Sequence, residues 1–175
     1  MFSYISKKEA RKKLGIDENE KNVLLFPSNP TRPGKNFRFI EKVIARFNGK
    51  YPYKIITFSD GKVEPSLVPN YFYAADLVLF PSLSEGSPNV IKEAMACNNL
   101  IFSSDCGDVS WLLENVIGAR VIPLQENLWA DALEDFFSGK MLNLIPDGRD
   151  ILIKKGLDTV SVARKITEVY NEIGR

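Results

Sequence analysis

Histidine is absent from this 175-residue sequence. That removes the commonest general base near neutral pH and the commonest transition-metal ligand. Any chemistry here must use carboxylates and cations, or a group supplied from elsewhere. Long apolar runs are also missing. None approaches the roughly 20 residues that span a bilayer, and the opening Met1-Phe2-Ser3-Tyr4-Ile5-Ser6-Lys7-Lys8 has no apolar signal core. Neither sign of charge dominates, with 23 Lys plus Arg against 22 Asp plus Glu, so no nucleic-acid partner is indicated. Cysteine is scarce. Cys97 and Cys106 lack metal or redox spacing and read as reduced cytosolic thiols. The expectation is a cytoplasmic protein.

What is present suits one globular domain with a real core, since 45% of residues are hydrophobic and 26% charged. Five short apolar runs recur: Val23-Leu24-Leu25-Phe26, Ile55-Ile56-Thr57-Phe58, Leu77-Val78-Leu79-Phe80, Leu100-Ile101-Phe102 and Ala119-Arg120-Val121-Ile122. The first four are mostly continuous rather than alternating, as parallel strands covered on both faces should be. Helical stripes lie between and after them: Phe37, Ile40, Val43, Ile44 and Phe47; then Leu128, Trp129, Ala132, Leu133, Phe136 and Phe137; finally Ala163, Ile166, Val169, Tyr170 and Ile173. These stripes and their aromatics read as core. Strand and helix in alternation predict an α/β, doubly wound, mostly parallel sheet flanked by helices.

In such sheets ligands bind beyond the carboxyl ends of the strands. The loops there are Ser28 to Lys35, Ser59 to Val63, Ser82 to Pro88 and Ser104 to Asp108. Lys7, Lys8, Arg11, Lys12 and Lys13 read as a solvated helix face, with peripheral contact to an anionic membrane or to a partner as the alternative.

Familiar phosphate sites fail on inspection. Gly34-Lys35 lacks the earlier glycine of a P-loop, and Asn36 stands where Ser or Thr would hold magnesium. No Gly-x-Gly-x-x-Gly follows a strand, and no Asp-x-Asp offers a carboxylate-held metal. What remains is the proline-stiffened loop Pro27 to Lys35, where Arg32 and Lys35 could share one anion without metal. Alone, it reads as a surface turn with two solvated cations. A second anion site is predicted at Ser87-Pro88, with Ser87 as N-cap and Pro88 as the first helical residue. The helix start would aim free N–H groups and a positive dipole end at a phosphate. Val90, Ile91, Ala94 and Met95 make its buried face, which leaves Glu93 on the side of Asn89, able to accept hydrogen bonds from a diol. On composition alone, Glu85 would merely decorate a turn and Glu93 a wet helix face.

The segment Leu79-Phe80-Pro81-Ser82-Leu83-Ser84-Glu85-Gly86-Ser87-Pro88-Asn89-Val90-Ile91-Lys92-Glu93-Ala94-Met95-Ala96 resembles the Glu-x7-Glu signature of retaining GT-B glycosyltransferases of the family 4, or group 1, type. Tyr73-Ala74-Ala75-Asp76, Ser103 to Asp108 and Val169-Tyr170 are similar to neighbouring family motifs. The resemblance covers nearly the whole chain. It implies a Rossmann-like half of a two-domain enzyme, with residues 1–175 as the C-terminal, nucleotide-sugar-binding domain. Phe2 and Ala10 to Ile16 resemble the start of that domain, just after the interdomain linker. The N-terminal acceptor domain would lie outside this chain.

The resemblance also implies roles. Glu93 would bind ribose hydroxyls and Glu85 the donor sugar. Backbone groups of Gly86, Ser87, Pro88, Asn89 and Val90 would face sugar and diphosphate, and Lys35 would neutralise the diphosphate. Ser28 and Asn29 would line the donor site, and Val63, within Ser59 to Val68, would touch the nucleobase. Two positions depart from the family pattern: Asn29 stands near an expected Arg, and Asn36 where a Gly should follow the lysine. Arg32 is the candidate second phosphate cation. The implied activity is metal-independent, retaining transfer from a nucleotide-sugar to a glycan or lipid-linked acceptor, in polysaccharide or glycolipid assembly at the inner membrane face. No cofactor is expected, and the isolated domain should transfer nothing. A GT-B sugar-nucleotide epimerase and a non-catalytic nucleotide- or partner-binding module remain open.

Overall fold

The computed structural model describes residues 4–58 and 63–173. Phe2 and residues 59–62 of the expected nucleobase segment lie outside them. Strands β1 (Val23–Phe26), β2 (Lys54–Thr57), β3 (Leu77–Phe80), β4 (Ile101–Ser103) and β5 (Ala119–Val121) form one sheet in the order β2-β1-β3-β4-β5. Every pairing is parallel.

Successive strand residues point to opposite faces. Val23, Leu25, Val78, Phe80 and Ile101 therefore enter one core, while Leu24, Leu77, Leu79 and Phe102 enter the other. The first core is closed by α1 (Lys7–Lys13), α3 (Val68–Ala74), α4 (Asn89–Ala96), α5 (Val109–Leu112) and α7 (Gly148–Lys154). The second is closed by α2 (Phe37–Ala45) and α6 (Glu126–Phe137), with Trp129 fully buried between them and the sheet. Burial on both faces is why the runs in β1 and β3 are unbroken. This is the expected α/β architecture, with β2 starting one residue early at Lys54 and β4 ending one residue late at Ser103.

Two expectations are overturned. The last helix, α8 (Thr159–Ile173), is amphipathic, but its stripe is not core: Ile166, Val169, Tyr170 and Ile173 are all exposed. Periodicity fixes which residues share a face, and says nothing of what covers it. Arg11 is not part of a solvated basic face either. It is buried, with Nη2 on Asp76 Oδ2 at 2.8 Å, Nε on the Ala74 carbonyl at 3.1 Å and Nη1 on the carbonyls of Glu18 and Glu20. The guanidinium fork thereby ties α1 to the end of α3 and the entry to β3. Among the described residues, no helix is long and apolar enough to cross a membrane.

Asp76 also accepts hydrogen bonds from Lys7 and from the Val23 amide, so loss of Arg11 leaves it partly compensated. Arg11→Ala is expected to cost about 2 kcal/mol, below the full penalty for an orphaned buried charge. Urea unfolding should show a lower midpoint at unchanged slope.

Candidate functional site

Strand β1 sits between β2 and β3. The chain leaves β1 through α2 towards β2, and leaves β3 through α4 towards β4. The two crossovers therefore diverge from the β1/β3 seam, which opens a crevice at the carboxyl ends of those strands. The loop 27–36 forms one wall and the loop 81–88 the other.

Main-chain hydrogen bonds lace these loops together. The Leu83 N–H donates to the Gly34 carbonyl at 2.9 Å, and Phe58 N–H to the Ser28 carbonyl at 3.1 Å. On the far side Ser104 N–H donates to Phe80 O at 3.0 Å, Ser104 Oγ to Ser82 O at 2.6 Å, and Asp108 N–H to Gly86 O at 3.0 Å. Gly107, at φ 58°, is required here, because a Cβ would stand 2.0 Å from the Gly86 carbonyl oxygen. At Gly86 itself a Cβ would meet nothing within 4 Å, so packing within the protein does not demand that glycine.

Across the crevice, the Lys35 ammonium forms an ion pair with Glu85 Oε1. The same oxygen accepts the Ser82 hydroxyl at 3.0 Å, and the ammonium lies 5.6 Å from the Phe80 ring centre. The side chains of Lys35 and Glu85 are 24% and 19% exposed, open enough for a solute to reach yet shielded from bulk water. Lys35 closes a short 3-10 turn, Pro33–Lys35, whose end requires left-handed backbone at Asn36, φ 59°. That explains Asn36 in place of glycine: Asn is among the few side chains that tolerate this region.

The structure separates the remaining candidates. Arg32, three residues before Lys35, lies on the exposed side of its loop. Asn29 is buried, and its Oδ1 accepts the Thr31 N–H at 2.9 Å and the Thr31 hydroxyl at 3.0 Å. That oxygen therefore shapes the loop. Ser28 contributes through its main chain, as above, and Val63 is half-buried beyond the undescribed residues.

The start of α4 differs from expectation. The helix begins at Asn89; Pro88 is its N-cap, at ψ 117°, and no side chain caps it. The Ser87 hydroxyl is taken by Asp108 Oδ2 at 2.6 Å, a partner 21 residues away that overrides the local capping rule. The N–H groups of Asn89 and Val90 have no acceptor among the described residues. Pro88 is buried, Asn89 exposed and Val90 half-buried. Ile91, Ala94 and Met95 are buried as the periodicity predicts.

One turn further on, Glu93 is half-buried rather than solvated. Burial raises its pKa above the ordinary carboxylate value. Its carboxylate has no hydrogen-bonding or ion-pairing partner among the described residues. The cysteines are unsuited to nucleophilic work: burial pushes the Cys97 thiol up to about 12 and raises Cys106 as well. Among the described residues, no three Cys, Asp or Glu side chains gather as a metal site would need. A cavity of about 780 Å³ does open in the protein, but at the opposite edge, beside Asn22, Asp76 and Leu100, which precede strands. It lies away from the loops described here. Sequence reasoning placed Gly107 and Asp108 in a loop at the strand ends but gave neither a role; the signal for the first was a glycine beside a polar residue just after β4.

Residues 54–139 match the family described as glycosyl transferases group 1. The chain is 32% identical over 140 residues to the putative teichuronic acid biosynthesis glycosyltransferase TuaC of Bacillus subtilis (strain 168), covering 73% of this chain and 36% of that protein. It is 33% identical over 84 residues to D-inositol 3-phosphate glycosyltransferase of Paenarthrobacter aurescens (strain TC1), covering 47% of this chain and 20% of that protein. The chain thus spans about a third or less of these relatives. In fold it resembles Anabaena HepE, solved with UDP and glucose, at TM-score 0.71 and 17% identity over 98% of this chain and 53% of that one. It also resembles the C-terminal domain of LpcC, a glycosyl transferase group 1 family protein from Francisella tularensis, at TM-score 0.67 and 17% identity over 88% of this chain and 94% of that one.

The raised pKa of Glu93 carries a stability consequence. Below the ordinary carboxylate pKa the group is neutral in both folded and unfolded states and costs nothing. As pH rises from the ordinary carboxylate pKa to the raised folded one, the unfolded state ionises first, so a destabilisation grows in, and above the folded pKa it persists in full. Glu93→Gln is expected to raise the thermal midpoint at neutral pH and to lose that advantage in acid. Thermal unfolding from about pH 4 to about pH 8 checks this. Gly107→Ala is expected to destabilise by about 3 kcal/mol or more, through its left-handed backbone and the contact with Gly86; chemical denaturation measures it.

Proposed function

The chain belongs to the glycosyl transferases group 1 family, and from that premise we propose that it is the donor-binding domain of a glycosyltransferase. It takes a nucleoside-diphosphate sugar in the β1/β3 crevice and serves metal-independent, retaining transfer to a glycan or lipid-linked acceptor held by a further domain. The observation that carries this reading is the Lys35–Glu85 ion pair at the switch point, set beside an uncapped helix start. UDP and glucose bound to HepE, a protein of the same fold, support a nucleotide-sugar donor. The relationship to a teichuronic acid glycosyltransferase supports a role in cell-surface polysaccharide synthesis.

In this mechanism the anomeric C–O bond breaks and its electron pair leaves with the diphosphate. Positive charge develops on the sugar and negative charge on the leaving group. Lys35 and the amides at the start of α4 stabilise the departing charge without a metal. Each oriented charged donor is worth roughly 3 kcal/mol of barrier. The diphosphate draws Lys35 from Glu85, and the freed carboxylate accepts hydrogen bonds from the sugar hydroxyls. Glu93, half-buried and without a partner among the described residues, accepts those of the ribose. A carboxylate kept partly desolvated gains more from such hydrogen bonds than one in bulk water.

Calorimetric titration with UDP, GDP, ADP and their sugar conjugates tests the reading. One nucleoside diphosphate should bind. Lys35→Ala should weaken it at least about tenfold while leaving the corresponding nucleoside unaffected, and Glu93→Ala should weaken both. Binding of none of the three diphosphates, or indifference to Lys35→Ala, would overturn it.

A further inference from the structure

The loop after β4 carries a carboxylate to which the proposed chemistry gives no role. Asp108 holds the Gly86–Ser87 segment at two points. Its N–H donates to the Gly86 carbonyl at 3.0 Å, next to Ser87 in the chain, and its Oδ2 accepts the Ser87 hydroxyl proton at 2.6 Å. Lys92 Nζ donates to the same hydroxyl oxygen at 2.7 Å. The other carboxylate oxygen, Oδ1, is buried and has no hydrogen-bond partner among the described residues. A buried acceptor left unsatisfied is destabilising and calls for an explanation. Its setting sharpens the question, because a negative charge beside a helix start would repel the anion that the start is meant to receive.

Ser87 supplies the answer. Ser followed by Pro is the pattern with which a helix caps itself. The Ser87 hydroxyl precedes the amides of Asn89 and Val90 by two and three residues, the spacing of a serine cap. A serine bonded there would occupy the donors that a diphosphate needs. In this structure the hydroxyl gives its one proton to Asp108 and takes one from Lys92, and those two amides are without an acceptor among the described residues. Gly107 makes this possible. By lacking a side chain it lets the β4 loop approach Gly86 closely enough for Asp108 to reach across.

We propose that Asp108 is a positioning residue, which holds the Ser87 hydroxyl off the first turn of α4 and so keeps the amides of Asn89 and Val90 open to the donor diphosphate. The assignment rests on the donor-site reading above. It opposes the simple electrostatic expectation. If Asp108 acted only through its charge, Asp108→Ala would tighten nucleotide binding. If it holds Ser87 aside, the same substitution releases the hydroxyl to cap the helix, and binding weakens.

The test compares Asp108→Ala, Asp108→Asn, Ser87→Ala and the double variant S87A/D108A with the unsubstituted chain. Amide hydrogen exchange at Asn89 and Val90 and affinity for UDP, GDP and ADP are the two readouts. Asp108→Ala should slow exchange at those two amides and weaken the nucleotide that binds by about fivefold, the worth of one serine cap. The double variant has no hydroxyl to swing in, so it should recover both fast exchange and affinity. Asp108→Asn keeps an acceptor for Ser87 and should stay near the unsubstituted chain. Unchanged exchange or tighter binding in Asp108→Ala would overturn the assignment, as would a double variant that does not recover, the signature of a merely collapsed loop. Failure of all three nucleotides to bind the unsubstituted chain would sink the donor-site reading instead. The exchange rates still decide whether Asp108 restrains Ser87.

Discussion

Everything at the site depends on one topological constraint: the two crossovers that leave β1 and β3 run in opposite directions. Parallel strands need such crossovers, and each must pack back on a face of the sheet. Where neighbouring connections diverge, no helix roofs the gap between the strand ends. The crevice therefore follows from the order of the strands and needs no specific side chain. Side chains decide only what it does. Lys35 and Glu85 are 50 residues apart in sequence and meet there because their loops leave adjacent strands.

The electrostatics of the crevice are deliberately incomplete. Lys35 and Glu85 satisfy each other, but neither is deeply buried, so a stronger anion can compete for the lysine at modest cost. Glu93 and the first amides of α4 lack partners altogether within the described chain. Arg11 and Ser104, by contrast, are committed: Arg11 places its guanidinium on four acceptors, and Ser104 binds the backbone of the neighbouring loop.

Much of the fold was legible because burial on both faces leaves a direct trace. Val23-Leu24-Leu25-Phe26 and Leu77-Val78-Leu79-Phe80 read as strands since no position needed to be polar. Lys54 and Ser103 were missed as strand residues because the ladder uses backbone groups, which hydrophobicity does not record. Lys35 stood out from local grammar, and Glu85 and Glu93 from the Glu-x7-Glu resemblance, although the pairing of Lys35 with Glu85 was not legible. Ser87 failed for the same reason in reverse: its neighbours spell a helix cap, and Asp108, brought in by the β4 loop, takes the hydroxyl. Arg11 looked like one of five solvated cations until the fold set Asp76 beside it. Local rules hold until a distant residue offers a better partner.

The lacing of the crevice loops by peptide groups has an evolutionary reading. Except for proline's missing N–H, the contacts from Leu83 to Gly34 and from Asp108 to Gly86 are ones that any amino acid could make. The scaffold of the pocket is thus largely indifferent to which residues occupy its lips. A lineage could exchange those lips to suit a new ligand while the frame beneath them stays intact. Gly107 is the exception, a hinge pin in a wall whose facing stones can be swapped.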